Sequence, residues 1–146
     1  MRVRVIDDEG LRQVEEWLAG DPVGSAVFGG FYGRAVERWT PLLSAPERHG
    51  WITYDDSGPI GFIDLEILDA EAEISYYVCP ARRLTGLGRA TVDQVVRLAS
   101  ENGARFIHAA VEPTNLPSLA LLRAAAFTES GPNEYGETEF EMSLHA

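Results

Sequence analysis

The chain has 146 residues, of which 45% are hydrophobic and 24% charged, a balance typical of one globular domain with its own core. Its net charge of −11 argues against nucleic acid as a partner, because phosphate backbones are bound by basic surfaces. No apolar run approaches the roughly 18 residues that cross a membrane, and a single cysteine excludes an internal disulfide. We therefore expect one cytoplasmic domain over residues 1–146 that binds neither nucleic acid nor membrane; a homodimer stays open.

The first third of the chain predicts a strand and two helices. Residues 2–6 alternate as a short strand. A helix begins at Asp7 or Asp8, either of which can cap it, and ends near Pro22. A second, weaker helix spans residues 24–39, where three internal glycines each cost about 1 kcal/mol relative to alanine. We expect this second segment to be irregular or mobile.

The remaining segments alternate between strands and helices. In chain order they are a hairpin over 50–68, a strand over 71–80, a helix over 86–101, a strand over 104–112, a helix over 115–125 and a strand over 137–145. The order β-α-α-β-β-β-α-β-α-β-β predicts an α/β (α+β) fold with a mixed, mostly antiparallel central sheet flanked by helices. The strand–helix–strand unit over 73–111 should form a right-handed parallel crossover.

The stretch CPARRLTGLGRA, residues 79–90, is typical of an anion site. Three of the chain's twelve arginines fall within eight positions here: Arg82, Arg83 and Arg89. A strand, a glycine-rich turn and a helix in succession direct free backbone N–H groups at one point, where the helix dipole adds about half a positive charge. Gly86 and Gly88 let phosphate oxygens approach the backbone closely. The glycine spacing fits neither the dinucleotide fingerprint nor the P-loop.

Two motifs resemble those of one family. Residues 83–88, RLTGLG, match the Arg/Gln-x-x-Gly-x-Gly/Ala motif of the GNAT superfamily, the Gcn5-related N-acetyltransferases. Downstream, VEPTNLPSLALLRAAAF at 111–127 resembles the second signature of these enzymes, with Asn115 and Ser118 in place. Ala126 stands where many members have the glycine of a Gly-Phe pair. The resemblance covers roughly residues 50–144.

The resemblance implies that acetyl-CoA is bound as a co-substrate, in a cleft where two central strands splay apart. One strand would end at Val78 and the other at Val111. The residues implied in cofactor binding are Val78, Arg83, Leu84, Thr85, Gly86, Leu87, Gly88, Arg89, Ala90, Asn115 and Ser118. The three histidines are scattered along the sequence, and no spacing predicts a metal site.

Direct acetyl transfer needs a base, because an amine with a pKa near 10 must lose a proton before it attacks a thioester. The acidic candidates on the middle strands are Asp64, Glu66, Glu71 and Glu73. Ala-Glu-Ile at 72–74 resembles the stretch where several GNAT members carry their base, which favours Glu73. The backbone N–H of Val78 would stabilise the developing oxyanion.

Three positions bear on the leaving group and on covalent chemistry. Leu122 stands where many members supply a tyrosine as general acid, and Tyr135 in the last loop is a weak substitute. Cys79 adjoins the expected thioester position, but it has no partner histidine in reach, so we interpret it as a small buried residue.

The expected function is transfer of an acetyl group from acetyl-CoA to a primary amine of a small molecule or a peptide N-terminus. Alternatives are a non-catalytic acyl-CoA-binding regulatory module and an acyltransferase that uses a longer acyl-CoA. The excess of acidic residues, including Glu134 and Glu137 near the last hairpin, favours a cationic acceptor. The aromatic segment 27–39 is expected to form the acceptor wall.

Overall fold

The computed structural model describes residues 1–83 and 85–144, and seven strands in this part of the chain form one sheet. The strands are β1 Arg2–Val5, β2 Arg48–Asp55, β3 Gly58–Leu68, β4 Glu71–Val78, β5 Phe106–Val111, β6 Thr128–Pro132 and β7 Thr138–Ser143. Their spatial order is β1-β2-β3-β4-β5-β7-β6. Among these described strands, β4 and β5 pair in parallel and all other neighbours pair antiparallel. The predicted fold class and the parallel pairing are confirmed.

Six helices and two 3₁₀ turns flank the sheet in the described residues. They are α1 Asp8–Ala19, α2 Pro22–Phe28, a 3₁₀ turn Tyr32–Arg34, α3 Ala35–Arg38, α4 Thr40–Leu43, a 3₁₀ turn Pro80–Arg82, α5 Leu87–Glu101 and α6 Leu116–Ala124. The irregularity expected of segment 24–39 is confirmed, but the single weak helix is wrong: the segment is divided into α2, a 3₁₀ turn and α3, and Gly29 is the C-cap of α2. Within residues 1–83 and 85–144, no helix combines the length and apolar character that crossing a bilayer requires.

Two cores lie on opposite faces of the sheet, because alternate residues of a strand point to opposite sides. On β4, Ile74 packs in the core formed with α5 and α6, whereas Tyr77 packs in the core formed with α1. The face of α5 that packs on the sheet includes the buried residues Val92, Val95 and Ala99, while Val96 is only partly buried.

The C-terminus of α6 shows why the second motif usually has a Gly-Phe pair where this chain has Ala126 and Phe127. The Phe127 N–H donates to the Leu122 carbonyl at 3.1 Å, and the Ala126 N–H donates to the Arg123 carbonyl at 3.3 Å. These two bonds form a Schellman motif, in which the residue after the C-cap is left-handed and favours glycine. Ala126 has φ +67°, so an alanine occupies a glycine-type position. Phe127 and Leu122 meet in the core beneath it.

Candidate active site

The sheet opens between β4 and β5. Their ladder has three pairs and ends where Glu73 lies beside His108. β4 continues to Val78 and stays paired with β3 up to that residue, while β5 is paired with β7 along its whole length. A wedge-shaped opening therefore separates the second half of β4 from β5.

The backbone of Val78 faces this opening. The Cys79 N–H donates to the Ile60 carbonyl at 2.8 Å, and Val78 lies opposite Gly61 in the ladder. Because alternate residues of an antiparallel strand bond to opposite neighbours, the N–H and C=O of Val78 point away from β3. At Gly61 the strands approach so closely that a Cβ would lie 1.8 Å from the Tyr77 carbonyl oxygen. Only glycine fits there.

The glycine-rich turn leads into α5 at the wide end of the opening. Gly86 is the N-cap of α5, with φ +81°, and nothing lies within 4 Å of its would-be Cβ. The N–H groups in the first turn of a helix lack intrahelical partners, which applies here to Leu87, Gly88 and Arg89. The Ala90 N–H already donates to the Gly86 carbonyl at 3.4 Å. Leu84, also predicted to bind the cofactor, lies outside the described residues.

The positive charge of this turn is offset by carboxylates. Each of its three arginines is paired with an aspartate: Arg82 with Asp55, Arg83 with Asp21 and Arg89 with Asp93. The Thr85 hydroxyl donates to the Arg82 carbonyl at 2.7 Å. Backbone N–H groups and the helix dipole are therefore the main attraction that the turn offers to an anion.

Asn115 and Ser118 lie on the α6 side of the opening. The Asn115 side chain caps α6 by accepting the Ser118 N–H at 3.4 Å. The Ser118 hydroxyl is 2.8 Å from the hydroxyl of Tyr76, which lies on β4 beyond the last pair with β5. Tyr76 was not predicted as a site residue. Alternation along β4 would have placed its side chain on the opposite face of the sheet from Tyr77. Leu122 is fully buried, and Tyr135 is 78% exposed in the β6–β7 turn.

Two of the predicted base candidates are engaged by other groups. Asp64 is buried and accepts hydrogen bonds from Arg48 at 2.8 and 2.6 Å and from the Tyr32 hydroxyl at 2.7 Å. Glu71 lies 3.2 Å from His108. Proton uptake by either carboxylate would disrupt an existing contact. Glu66 is less constrained, since it is 3.7 Å from Arg48.

Glu73 lies at the closed end of the opening, with its side chain exposed. No ion pair in residues 1–83 and 85–144 involves its carboxylate. It lines a pocket of about 330 Å³, together with Glu66, Leu68, Glu71 and His108. Partial desolvation raises the pKa of Glu73, the nearby carboxylates of Glu139, Glu66 and Glu71 raise it further, and His108 opposes the shift. The geometry thus leaves Glu73 free to take up a proton.

His108 belongs to this site although no sequence pattern selected it. Its Nε2 lies 3.2 Å from Glu71, and its Nδ1 lies 3.7 Å from Glu141. The parallel register that brings His108 beside Glu73 joins residues 35 positions apart, which no local pattern reports. In the described part of the chain, no group of three or more His, Cys, Asp or Glu side chains is arranged to hold a metal ion.

Cys79 is buried, as expected, and burial raises the pKa of its thiol. A thiol with a raised pKa is a poor nucleophile near neutral pH. This is evidence against an acyl-cysteine route.

Comparison with known proteins decides the family. The model of the acetyltransferase (GNAT) family matches residues 11–127. The chain belongs to this family. It is 24% identical over 139 residues to the uncharacterized N-acetyltransferase YfmK of Bacillus subtilis (strain 168), which covers 92% of this chain and 91% of that protein.

Solved structures of other acetyltransferases share the fold. The aminoglycoside acetyltransferase AAC(6')-Ib in complex with coenzyme A superposes with a TM-score of 0.80 at 18% identity, covering 97% of this chain and 93% of that one. The ribosomal-protein-alanine N-acetyltransferase from Brucella melitensis gives 0.78 at 18% identity, over 99% and 100% of the two chains. Membership of the GNAT family implies acyl transfer; these likenesses establish the fold.

Proposed function

We propose that the protein is an N-acetyltransferase that moves the acetyl group of acetyl-CoA directly to a primary amine of a small molecule or a peptide N-terminus. One observation carries the proposal: the opening beside β4 has a helix N-terminus at its wide end and, at its closed end, the carboxylate of Glu73, which has no ion-pair partner in the described part of the chain. The first feature suits a pyrophosphate, and the second suits an amine that must lose a proton.

The residues present fit coenzyme A, which supplies the acetyl group as a thioester. The N–H groups at the start of α5 would hold the pyrophosphate, and the open space at Gly86 leaves room for its oxygens. The backbone of Val78 would border the thioester end of the pantetheine arm from the β4 side, with its N–H free within the described part of the chain and its carbonyl accepting the Arg83 Nε at 2.9 Å. Asn115 and Ser118 would line its other side, as the family motif implies.

In the proposed reaction Glu73 takes the proton of the acceptor amine, directly or through water. Its raised pKa makes it a stronger base than an ordinary glutamate. The Val78 N–H stabilises the oxyanion that forms when nitrogen attacks the carbonyl carbon. The carbon–sulfur bond then breaks, and the thiolate leaves.

The departing thiolate needs little assistance, because a thiol has a pKa of about 8.5. The missing tyrosine on α6 is therefore not an obstacle. Tyr76 and Ser118 present two linked hydroxyls at this side of the opening. Burial raises the pKa of Tyr76, with its bond to Ser118 opposing the shift, so its hydroxyl stays protonated and available as a donor.

The acceptor is proposed to be cationic. The sheet face that carries Glu73 has a solvent-exposed region that is rich in carboxylates: Glu66, Glu71, Glu73, Glu139 and Glu141. A field of this sign concentrates cations, and salt weakens it. One of the similar structures is named for aminoglycosides, which are cationic amines. In segment 27–39, Tyr32 and Trp39 are buried in the core, so the partly buried Phe28 and Phe31 would form the neighbouring wall.

Turnover of acetyl-CoA against a panel of amines, followed as free thiol release, tests the proposal. We expect matched cationic amines to react with a higher kcat/KM than neutral ones, and this advantage to shrink at high salt. Glu71→Gln serves as a control for Glu73→Gln, because it removes the same charge two residues away on the same face. Binding of CoA without turnover of any amine would favour the regulatory module. Faster turnover of a longer acyl-CoA than of acetyl-CoA would favour an acyltransferase that uses the longer acyl group.

A further inference from the structure

Arg83 is the first residue of the RLTGLG motif, and its side chain is held by hydrogen bonds to other residues of the protein. Its Nε donates to the Val78 carbonyl at 2.9 Å. Its Nη2 and Nη1 lie 2.8 and 3.4 Å from the two carboxylate oxygens of Asp21. These contacts fix a planar guanidinium in both position and orientation. All three nitrogens of the guanidinium are thus engaged by acceptors of the protein itself.

Asp21 links Arg83 to α2. It is 3% exposed, and as the N-cap of α2 it accepts the Gly24 N–H at 3.0 Å. It also accepts the Tyr77 hydroxyl at 2.7 Å, and the Arg83 guanidinium lies 5.3 Å from the centre of the Tyr77 ring. Desolvation acts to raise the pKa of Asp21, but the bonds from Arg83, Gly24 and Tyr77 lower it overall. Asp21 is therefore a buried carboxylate that depends on these donors.

The helix that Asp21 caps forms part of the proposed acceptor wall. At its end, Phe28 packs edge-on against Tyr32, Phe62 and Tyr77, with ring centroids 5.8, 6.0 and 5.9 Å apart. Arg83 thus joins three parts of the site: the Val78 backbone at the opening, the start of the phosphate turn, and α2 on the acceptor side.

We infer that Arg83 is a positioning residue that couples the phosphate turn to α2, so that CoA binding orders the acceptor wall. The inference rests on the proposed function. A ligand that fixes the turn restricts the Arg83 backbone and favours the state in which its guanidinium holds both Val78 and Asp21. Stabilising that state stabilises the N-terminus of α2. By linkage, an ordered α2 strengthens CoA binding to the same extent.

Hydrogen exchange on the full chain, with and without saturating CoA, tests this coupling. In the wild type we expect CoA to slow exchange over residues 22–28 by about fivefold or more, the lower range of such couplings. Arg83→Gln should lose this slowing, whereas the salt dependence of CoA affinity should be unchanged, because no phosphate contact is removed. Arg82→Gln is the matched control: it removes the same charge one residue earlier, from a side chain paired with Asp55 on β2.

Arg83→Lys separates positioning from simple charge. Lysine keeps the charge but cannot reach Asp21 and the Val78 carbonyl together, so it should behave like Arg83→Gln. If lysine restores CoA affinity and the slowing, Arg83 acts as a point charge on phosphate and the inference is wrong. It is equally wrong if Arg82→Gln loses the slowing as completely as Arg83→Gln does.

The remaining outcomes distinguish the inference from the proposed function. A wild-type chain that binds no CoA in calorimetry refutes the proposed function, and the coupling with it. A wild type that binds CoA with unchanged exchange over 22–28 refutes the coupling alone. Should Arg83→Gln fail to fold, the nearly isosteric Asp21→Asn tests the same link, since it should lose the slowing and weaken CoA binding only by the factor of the lost coupling, about fivefold.

Discussion

Gly61→Ala should disable the proposed oxyanion site while leaving the phosphate turn intact. An alanine Cβ at this position would lie 1.8 Å from the Tyr77 carbonyl oxygen and 3.1 Å from the Val78 Cα. Real Cβ atoms essentially never come within 3.0 Å of such an atom, so the separation must grow by at least 1.2 Å. The obstacle is backbone and cannot rotate away, so the end of β4 must move.

The size of this movement sets the expected effect. Misplacing a reacting group by about 1 Å can lower a rate roughly 100-fold. A factor of 100 corresponds to about 2.7 kcal/mol of transition-state stabilisation. Forcing an extra methyl group into a packed site also costs about 1–3 kcal/mol of the free energy of unfolding. We therefore expect kcat/KM to fall about 100-fold, with a smaller loss of CoA affinity because α5 is untouched.

Thiol-release kinetics with the best amine, together with thermal unfolding, measure both effects. Gly50→Ala is the matched control: its Cβ would meet side chains of Ile6 and Trp39 at 2.8 Å, on a strand that does not border the opening. It should lower stability without a selective loss of kcat. A folded Gly61→Ala enzyme with near-normal kcat/KM would refute the reasoning, as would an equal loss of kcat in Gly50→Ala.

Three further substitutions test the site and the fold. Glu73→Gln should lower kcat about 100-fold with little change in CoA affinity. In the wild type, kcat should fall as the pH drops through the raised pKa of Glu73. If the kcat of Glu73→Gln is near normal, the base is Glu66 instead. Because a raised carboxyl pKa adds stability only at low pH and loses it as pH rises through the folded value, Glu73→Gln should not lower Tm at pH 8. Tyr76→Phe should lower kcat about tenfold, since a thiolate needs little help; no change would make the bond to Ser118 purely structural. Ala126→Gly should raise the free energy of unfolding by about 0.5–1 kcal/mol by relieving the left-handed alanine. Ala120→Gly, at an exposed position in the interior of α6, should lower it by about 1 kcal/mol; equal effects would contradict the assignment.

Many strands and helix ends were predicted from sequence, because each is specified by a pattern within a few neighbouring residues. Alternation identified β4, and the Asn115 cap and the Gly86 turn located the starts of α6 and α5. Ala126 was recognised from sequence as a departure from the family, and its positive φ explains why glycine is usual there.

Long-range pairings were not predicted, because no local pattern reports them. The ion pair between Arg83 and Asp21 joins residues 62 positions apart. The position of His108 beside Glu73 depends on the register of a parallel crossover. The glycines of segment 24–39 predicted its irregularity, but no local pattern showed that the helix breaks at Gly29.

The distribution of paired and unpaired carboxylates reconciles an acidic protein with an anionic co-substrate. Asp21 and Asp64 are buried, and each is matched by an arginine, as burial of a charge requires. The arginines of the phosphate turn are likewise paired, so the attraction for a pyrophosphate comes mainly from backbone N–H groups, which no net charge can cancel. Glu73 is different: it stays unpaired where it is exposed to solvent at the closed end of the opening. The net charge of −11 is therefore compatible with CoA at one end of the site and favours a cation at the other.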